Sequence, residues 1–199
     1  VVDLEGDGRL EMLARLHTGT GGRPRGLCCY SVDTGELRWS FPTAPNVLDV
    51  ACVDLDGDRV LDILLSTQAP SNGNTEADGT DDGHTYLFAL SGKTTASSSP
   101  TNLWRVDLWD FWSQAHLLLD PTNRAIYVWS SYAGVDLSDR AARPHTGEIV
   151  RVGYDGSETG RSTIGEYLSG CTLVESNTNR LTQVAAIDHS GLLRVFSHD

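Results

Sequence analysis

Acidic residues stand at alternate positions in one short segment of this sequence. Asp54, Asp56, Asp58 and Asp62 are positions 1, 3, 5 and 9 of the segment, and the backbone carbonyl of Val60 is at position 7. Alternate side chains of a tight turn converge on one point, and Ca²⁺ takes roughly six to eight oxygen ligands. Carboxylates gathered without a cation repel one another. The spacing therefore predicts a calcium site.

The same spacing occurs near the start of the chain. Asp3, Glu5, Asp7 and Glu11 match the four acidic positions at an offset of 51 residues (54 − 3), and the carbonyl of Arg9 takes the seventh position. Glutamate is longer than aspartate, so we expect these groups to hold a cation more loosely. We predict a second calcium ion at this turn.

Two weaker copies of the turn follow later in the chain. Residues 118–128 keep a polar turn but have lost the acidic pattern. Residues 174–185 keep side-chain oxygens at the four positions, with only one charge, on Glu175, Asn177, Asn179 and Gln183. We interpret both copies as structural turns without metal.

The elements that would position these turns are short strands. Each turn is followed by apolar runs that are short, β-branched and bounded by Gly, Asn, Asp or Pro, with no sustained helical period. The four units cover residues 1–43, 44–108, 109–168 and 169–199, of which the first and last are incomplete. In the second unit we expect strands at 47–54, 62–68, 85–91 and 102–107.

Units of about 40–60 residues with four strands are typical of β-propeller blades. We therefore predict an all-β fold of four consecutive four-stranded blades, belonging to a larger ring of about seven or eight blades. A closed four-bladed ring is the alternative. The chain begins at Val1 and its only methionine is Met12, so we expect it to come from a longer precursor. Trp39 and Trp104 fall at matching places in the outer strands, and we expect them to pack between neighbouring units.

The two acidic turns resemble a known calcium repeat. They read Asp3-Leu4-Glu5-Gly6-Asp7-Gly8 and Asp54-Leu55-Asp56-Gly57-Asp58, which is similar to the FG-GAP, or integrin-alpha-type, repeat and to VCBS-like repeats. Residues 33–39 and 86–90 look more like quinoprotein blades. The resemblance implies a calcium-binding propeller in the ectodomain of a membrane protein, at the cell surface or outside the cell. Arg59 departs from the family pattern, because its position favours glycine and a positive φ.

Composition narrows the function classes. The chain carries 27 acidic against 15 basic residues, a net charge of −12, which argues against nucleic acid as a partner. No apolar run approaches the roughly 20 residues of a transmembrane helix. The four cysteines show no C-x-x-C spacing, so we expect free thiols, mostly buried.

A partner surface is predicted on the face opposite the calcium turns. Two long insertions, residues 69–84 and 133–146, would extend from that face. The connection between the second and third units adds Trp109, Phe111 and Trp112, and aromatic side chains anchor interfaces. We expect a protein or glycan partner there.

The sequence favours a non-enzymatic, calcium-stabilised interaction module of an adhesion or scaffold protein. No G-x-S-x-G motif is present, and the six histidines share no spacing, so no catalytic residues are assigned. Asp78, Asp81 and Asp82 are interpreted as a solvated acidic loop rather than a further cation site. Two alternatives stay open: a quinoprotein-like enzyme with a cofactor in a central channel, and a structural subunit of a filament or large assembly.

Overall fold

The structure is a computed structural model that describes residues 1–19, 21–94, 99–110, 112–132, 147–164, 168–175 and 182–197. These residues form fourteen β-strands, and the paired strands run antiparallel. The chain is therefore all-β over the described ranges. No helix in this part of the chain is long and apolar enough to cross a membrane.

The strands follow one another through short turns and a few longer loops. Their bounds are β1 Glu11–Leu16, β2 Gly26–Ser31, β3 Leu37–Pro42, β4 Asn46–Val53, β5 Asp62–Gln68, β6 His84–Leu90, β7 Asn102–Asp110, β8 Ser113–Asp120, β9 Ala125–Tyr132, β10 Gly147–Gly153, β11 Glu158–Ile164, β12 Leu168–Glu175, β13 Thr182–Asp188 and β14 Leu193–Ser197.

The strands form three sheets. The first contains β1, β2 and β3 in that order, and the third contains β12, β13 and β14. The central sheet has eight strands in the order β11-β10-β9-β8-β5-β6-β7, with β4 paired to β5. Within it, β4 to β7 form one antiparallel meander and β8 to β11 form another. In the strand pairing, the two meanders meet at one residue pair, Gln68 with Gln114.

The prediction of four consecutive four-stranded propeller blades is wrong. The described strands form sheets of three, eight and three strands, and they do not close into a ring. Apolar periodicity and turn residues locate strands, but they do not determine which strand edges meet. The pairing at the ends of β5 and β8 continues one sheet through the two middle units. The strands expected in the second unit nevertheless agree with β4 to β7 to within three residues.

The core lies where successive units pack together. Trp39 of β3 is 4% exposed and lies in one cluster with Ile63 and Leu65 of β5. Trp104 of β7 donates its indole N–H to the carbonyl of Tyr154 at 3.0 Å, after β10 of the next unit. The expected packing of both tryptophans between neighbouring units is thus confirmed.

Gly156 shows how closely the units approach. Its φ is +83°, and a Cβ there would lie 2.8 Å from the Trp104 ring. Any other residue would therefore push the indole out of place, because Cβ atoms do not approach other atoms that closely. The turn between β10 and β11 is held against one face of Trp104 by this glycine.

All four cysteines are free, as expected. Cys28 and Cys29 are buried, and Cys52 and Cys171 are partly buried. Burial raises the pKa of Cys29 and Cys52 to about 11 and that of Cys171 to about 12. These three thiols are therefore protonated at neutral pH.

Candidate metal centre

The second acidic turn connects β4 to β5. The carboxylates of Asp54, Asp56 and Asp58 each place an oxygen within 4.8 Å of the others. Hard oxygen ligands in such a cluster suit Ca²⁺ and similar divalent cations. The structure thus brings together three of the four side chains that the spacing predicted, and this triad could hold a metal ion.

Backbone N–H groups fix the shape of this turn. Asp54 accepts hydrogen bonds from the N–H of Gly57 at 2.6 Å and of Arg59 at 3.0 Å. Asp56 and Asp58 each accept from the N–H group two residues further on, at 3.0 and 2.7 Å. Arg59 has a φ of +75°, so it adopts the conformation for which the family pattern uses glycine. Gly8, at the matching position of the first turn, has a φ of +86°, so both turns share this backbone conformation.

Asp62 does not join the triad. Its buried side chain lies under the turn and accepts hydrogen bonds from the backbone. Its side chain accepts the N–H of Leu55 at 3.1 Å and of Gly92 at 3.2 Å, and the residue is 3% exposed. Burial raises the pKa of Asp62, and the charges of Asp56 and Asp58 raise it further. Asp62 therefore connects the turn to the segment after β6. The carbonyl of Val60 stays a predicted ligand.

A cationic side chain already meets the triad. The ammonium of Lys93, the only lysine of the chain, pairs with Oδ2 of Asp58. The hydrogen bond to Asp58 raises the pKa of Lys93 and lowers that of Asp58. Lys93 is 59% exposed, so a metal ion can replace its ammonium while the side chain turns to water. One carboxylate of the triad, that of Asp58, is thus already paired with a cationic group.

The first acidic turn repeats the backbone geometry but not the cluster. Asp3 accepts the N–H of Asp7 at 3.1 Å and of Gly8 at 2.9 Å. Glu5 and Glu11, however, pair with the guanidinium of Arg38 in β3. Among the described residues these four carboxylates do not converge as the triad does. Calcium at the first turn, including the carbonyl of Arg9, stays a prediction.

The duplication is nevertheless visible at atomic level. Glu11 accepts the N–H of Leu4 at 3.1 Å, just as Asp62 accepts that of Leu55 at 3.1 Å. Glu11 is also buried, at 2% exposure. In both turns, the acidic residue at the ninth position is therefore buried and accepts a hydrogen bond from the backbone N–H of the second position. In the first turn Arg38 neutralises this buried charge.

Neighbouring turns are linked to one another. The N–H of Leu61, at the end of the second turn, donates to the carbonyl of Leu4 in the first at 2.8 Å. Arg124, in the third turn, donates to the carbonyl of Leu55 in the second at 2.5 Å. In the third turn, the backbone N–H and the side-chain amide of Asn123 both donate to the carboxylate of Asp120. These hydrogen bonds agree with the interpretation of this copy as a structural turn. Residues 176–181 of the fourth turn lie outside the described residues.

The predicted partner surface is described in part. Trp109 is partly buried and donates its indole N–H to Glu148 at 2.7 Å. Trp112 is partly buried, with a φ of +57°. Phe111 and the insertion 133–146 lie outside the described residues. The two tryptophans that are described each keep part of their surface accessible.

The insertion between β5 and β6 is a solvated acidic loop only in part, because Asp78 is exposed and Asp81 is partly exposed, whereas Asp82 is buried. Oδ1 of Asp82 accepts the N–H groups of residues 72, 73 and 74 at 3.0, 2.9 and 3.1 Å. Oδ2 of Asp82 pairs with Arg25 at 2.8 Å, and both side chains are 1% exposed. Asp78 and Asp81 accept hydrogen bonds from their own loop. Asp82 thus ties the loop to the first unit.

One polar network was missed at the sequence level. Oδ2 of Asp49 in β4 lies 3.3 Å from Nδ1 of His116 in β8, whose Nε2 lies 2.9 Å from Oγ of Ser131 in β9. This order of groups occurs in nucleophilic catalysis. Here, however, Ser131 donates its proton to Gln114 at 2.9 Å, away from the imidazole. The network therefore reads as a link between β4 and β8. No local pattern in the sequence could have indicated it, because 67 positions separate Asp49 from His116.

The chain has a structural counterpart among solved proteins. No family model matches the sequence, and no curated protein is significantly similar to it. The fold is similar to that in the crystal structure of rhamnogalacturonan lyase YesW, with a TM-score of 0.51 and 14% sequence identity. The likeness covers 98% of this chain and 41% of that chain. This chain thus spans less than half the length of the lyase, and the likeness shows the fold alone.

Proposed function

We propose that this chain is a non-enzymatic, calcium-stabilised, all-β interaction module of an extracellular or membrane-anchored adhesion or scaffold protein. The Asp54, Asp56 and Asp58 triad carries the proposal. Its carboxylates are held in place by backbone N–H groups of the turn, so an ion would find the ligands already ordered.

The exposure of the triad suits a weak site. Extracellular calcium modules bind at about 10⁻⁴–10⁻³ M, whereas tight sites enclose the ion with more charged ligands. An ion that binds only the folded state stabilises it by RT ln(1 + [L]/Kd), which is about 1.4 kcal/mol at ten times Kd. In a protein of this size such a change raises Tm by about 3–5 °C. Calcium would therefore act as a structural ion.

The partner surface would include Trp109, Phe111 and Trp112. The loop of residues 69–83 ends beside it, since His84 pairs with Asp110 next to Trp109. Loops held on a rigid scaffold commonly carry binding residues, and tryptophan is enriched at the centres of interfaces. This arrangement supports a protein or glycan partner on that surface.

Thermal unfolding with and without calcium tests the stabilising ion. We expect Ca²⁺ to raise Tm by about 3–5 °C at ten times Kd, and EGTA to reverse the change. Asp56→Asn should abolish most of the response. Asp33→Asn, which removes the same charge from an exposed turn outside the triad, should keep it. If the chelator leaves the Tm of the wild-type chain unchanged, the calcium proposal fails.

A second measurement tests the partner surface. Fluorescent multimers of the chain should bind cells or an oligosaccharide array, and Trp112→Ala should weaken this binding without lowering the calcium response. Equal binding by wild type and Trp112→Ala would contradict the proposed surface. A redox cofactor or a regular polymer in the purified material would favour one of the two alternative functions instead.

A further inference from the structure

Exposed large apolar side chains lie at the two ends of the row of units. Over the described ranges eleven such side chains are exposed, and five belong to the first unit and five to the last. They are Val1, Leu10, Met12, Val32 and Leu37 in the first unit and Val174, Ile187, Leu192, Leu193 and Val195 in the last. The described part of the central sheet has one, Leu103. Single exposed apolar residues are ordinary, whereas a cluster of them marks an interaction surface.

Alternation along the strands explains why the middle units expose so little. Successive residues of a strand point to opposite faces of its sheet. In β5, Ile63 packs against the first unit and Leu64 against the third. In β9, Ile126 packs against the second unit and Tyr127 against the fourth. Each middle unit therefore buries one face on the preceding unit and the other face on the following unit.

The last unit buries only one of its faces. Val184 of β13 packs against the third unit. Ile187 lies on the opposite face of β13 and pairs with Leu193 of β14, and Val195 is two residues further along β14. These three residues are 41%, 64% and 54% exposed. The open face, which we call the C-terminal face, consists of Gly170, Thr172, Val174, Gln183, Ala185, Ile187, Leu193 and Val195.

The first unit leaves the opposite face open. Leu27 of β2 packs against the second unit, whereas Tyr30, on the other face of β2, pairs with Met12 of β1. Val32 and Leu10 extend this ladder, since the N–H of Val32 donates to the carbonyl of Leu10 at 2.9 Å. This open face, which we call the N-terminal face, consists of Leu10, Met12, Ala14, Leu16, Cys28, Tyr30, Val32 and Ser40.

We propose that the C-terminal face of one copy of this chain docks on the N-terminal face of a second copy. Every contact between units joins the face that one unit turns to its successor with the face that the next unit turns to its predecessor. The two open faces are the remaining members of these two types. No core cluster of the described residues contains both end units, so the two faces of one copy do not cover each other.

Charge favours a second copy at these faces. The chain carries a net charge of −12, so two copies repel each other in most orientations. None of the residues of either face is Asp, Glu, Lys, Arg or His. The two faces can therefore meet and bury apolar area without burying a charge.

The size of the C-terminal face limits the strength of the contact. Three strands of about seven residues make a face of about 24 Å by 14 Å. This is less than half of the roughly 800 Å² per partner of a standard interface, so we expect a dissociation constant in the micromolar range or above. Such a contact supports reversible association and not a stable filament. It goes beyond the proposed function, because associated copies would present several partner surfaces together.

Sedimentation velocity over a range of protein concentrations tests the contact. We expect the wild type to change from monomers to larger species between about 10 μM and 1 mM. Val195→Glu and Met12→Glu place a charge on one face each, and each should weaken association at least about tenfold. Both positions are exposed, so the Tm should change by less than about 2 °C. Leu103→Glu, the matched control in the central sheet, should associate as the wild type does.

Mixing the two variants tests the head-to-tail geometry. Val195→Glu keeps an intact N-terminal face, and Met12→Glu keeps an intact C-terminal face. Each variant alone should be monomeric where the wild type associates, whereas an equimolar mixture should form a 1:1 heterodimer and nothing larger, because the contact joins two different faces. None of the residues of either face supplies a metal ligand, so the same result is expected in EGTA.

Three outcomes would show that the inference is wrong. The first is a wild type that stays monomeric over the whole range, which would mean that a second copy does not cover these faces. The second is a mixture without heterodimer. The third is association of Met12→Glu as strong as that of the wild type, which would indicate contact between two like faces. The readout is mass and not Tm, so the calcium proposal and this one can fail separately.

Discussion

Asp82→Ala removes the group on which five hydrogen bonds converge. Three come from the backbone N–H groups of residues 72–74, one from the Asn74 amide and one from the Arg25 guanidinium. After the substitution, four donors within the loop of residues 69–83 lose their common hydrogen-bond acceptor. Arg25, only 3% exposed, keeps its charge without a counter-ion.

The expected cost follows from these contacts. Removing one partner of a buried ion pair costs about 3–5 kcal/mol, because the remaining charge stays desolvated. The N–H groups of residues 72–74 add little, since this stretch is partly exposed and water can replace the lost acceptor. We therefore predict a loss of about 4 kcal/mol in the free energy of unfolding, which lowers Tm by about 8–16 °C.

Urea unfolding followed by tryptophan fluorescence measures the change. Asp81→Ala is the matched control, because Asp81 is a neighbouring carboxylate of the same loop whose side chain is 38% exposed. We expect it to cost less than about 1 kcal/mol. The double variant Arg25→Met with Asp82→Ala should be more stable than Asp82→Ala alone, since the unpaired charge is gone.

The result that refutes this reasoning is specific. If Asp82→Ala and Asp81→Ala destabilise the chain equally, the buried pair does not anchor the loop. If the double variant is less stable than Asp82→Ala alone, the penalty does not come from the unpaired Arg25 charge.

Three further outcomes follow from the same contacts. Lys93→Gln should raise calcium affinity, measured by calorimetry, because it removes the cation that competes for Asp58; Lys93→Arg should leave the affinity unchanged. Burial raises the pKa of Asp49, but hydrogen bonds from His116 and a backbone N–H outweigh it, and the net pKa is lowered. Its contribution to stability is therefore full above about pH 4 and is lost as pH falls further, so Asp49→Asn should reduce the acid sensitivity of Tm between about pH 4 and pH 2. The three cysteine thiols with raised pKa should resist iodoacetamide at pH 8 in the native chain and react in urea, as read by mass spectrometry; rapid native alkylation would contradict their burial.

The local features of this chain could be predicted because they depend on nearby residues. The acidic turn between β4 and β5 follows from aspartates that accept backbone N–H groups a few residues away, which the spacing encodes directly. The bounds of β4 to β7 follow from apolar runs between turn residues. Even the positive φ of Arg59 was indicated by the place of glycine in the repeat.

The features that were missed depend on distant partners. Nothing near Glu5 or Glu11 indicates that Arg38, on another strand, neutralises both of them. The burial of Asp82 requires Arg25, which lies 57 positions away. The sheet arrangement depends on one backbone pair between β5 and β8, and no side-chain pattern reports such a pair. The observed sheets differ from the predicted blades because of pairing between strands that are distant in the sequence, which local propensity does not determine.

The hydrogen bonds between successive turns have an evolutionary consequence. The carbonyl of Leu4 is bound by the backbone of the second turn, and that of Leu55 by the side chain of Arg124 in the third. A turn is thus supported by its neighbour whether or not that neighbour holds an ion. In the first turn the charges of Glu5 and Glu11 are neutralised by Arg38, a cation that belongs to the chain itself. A turn in such an array could therefore lose acidic residues in the course of evolution without losing the hydrogen bond to its neighbour.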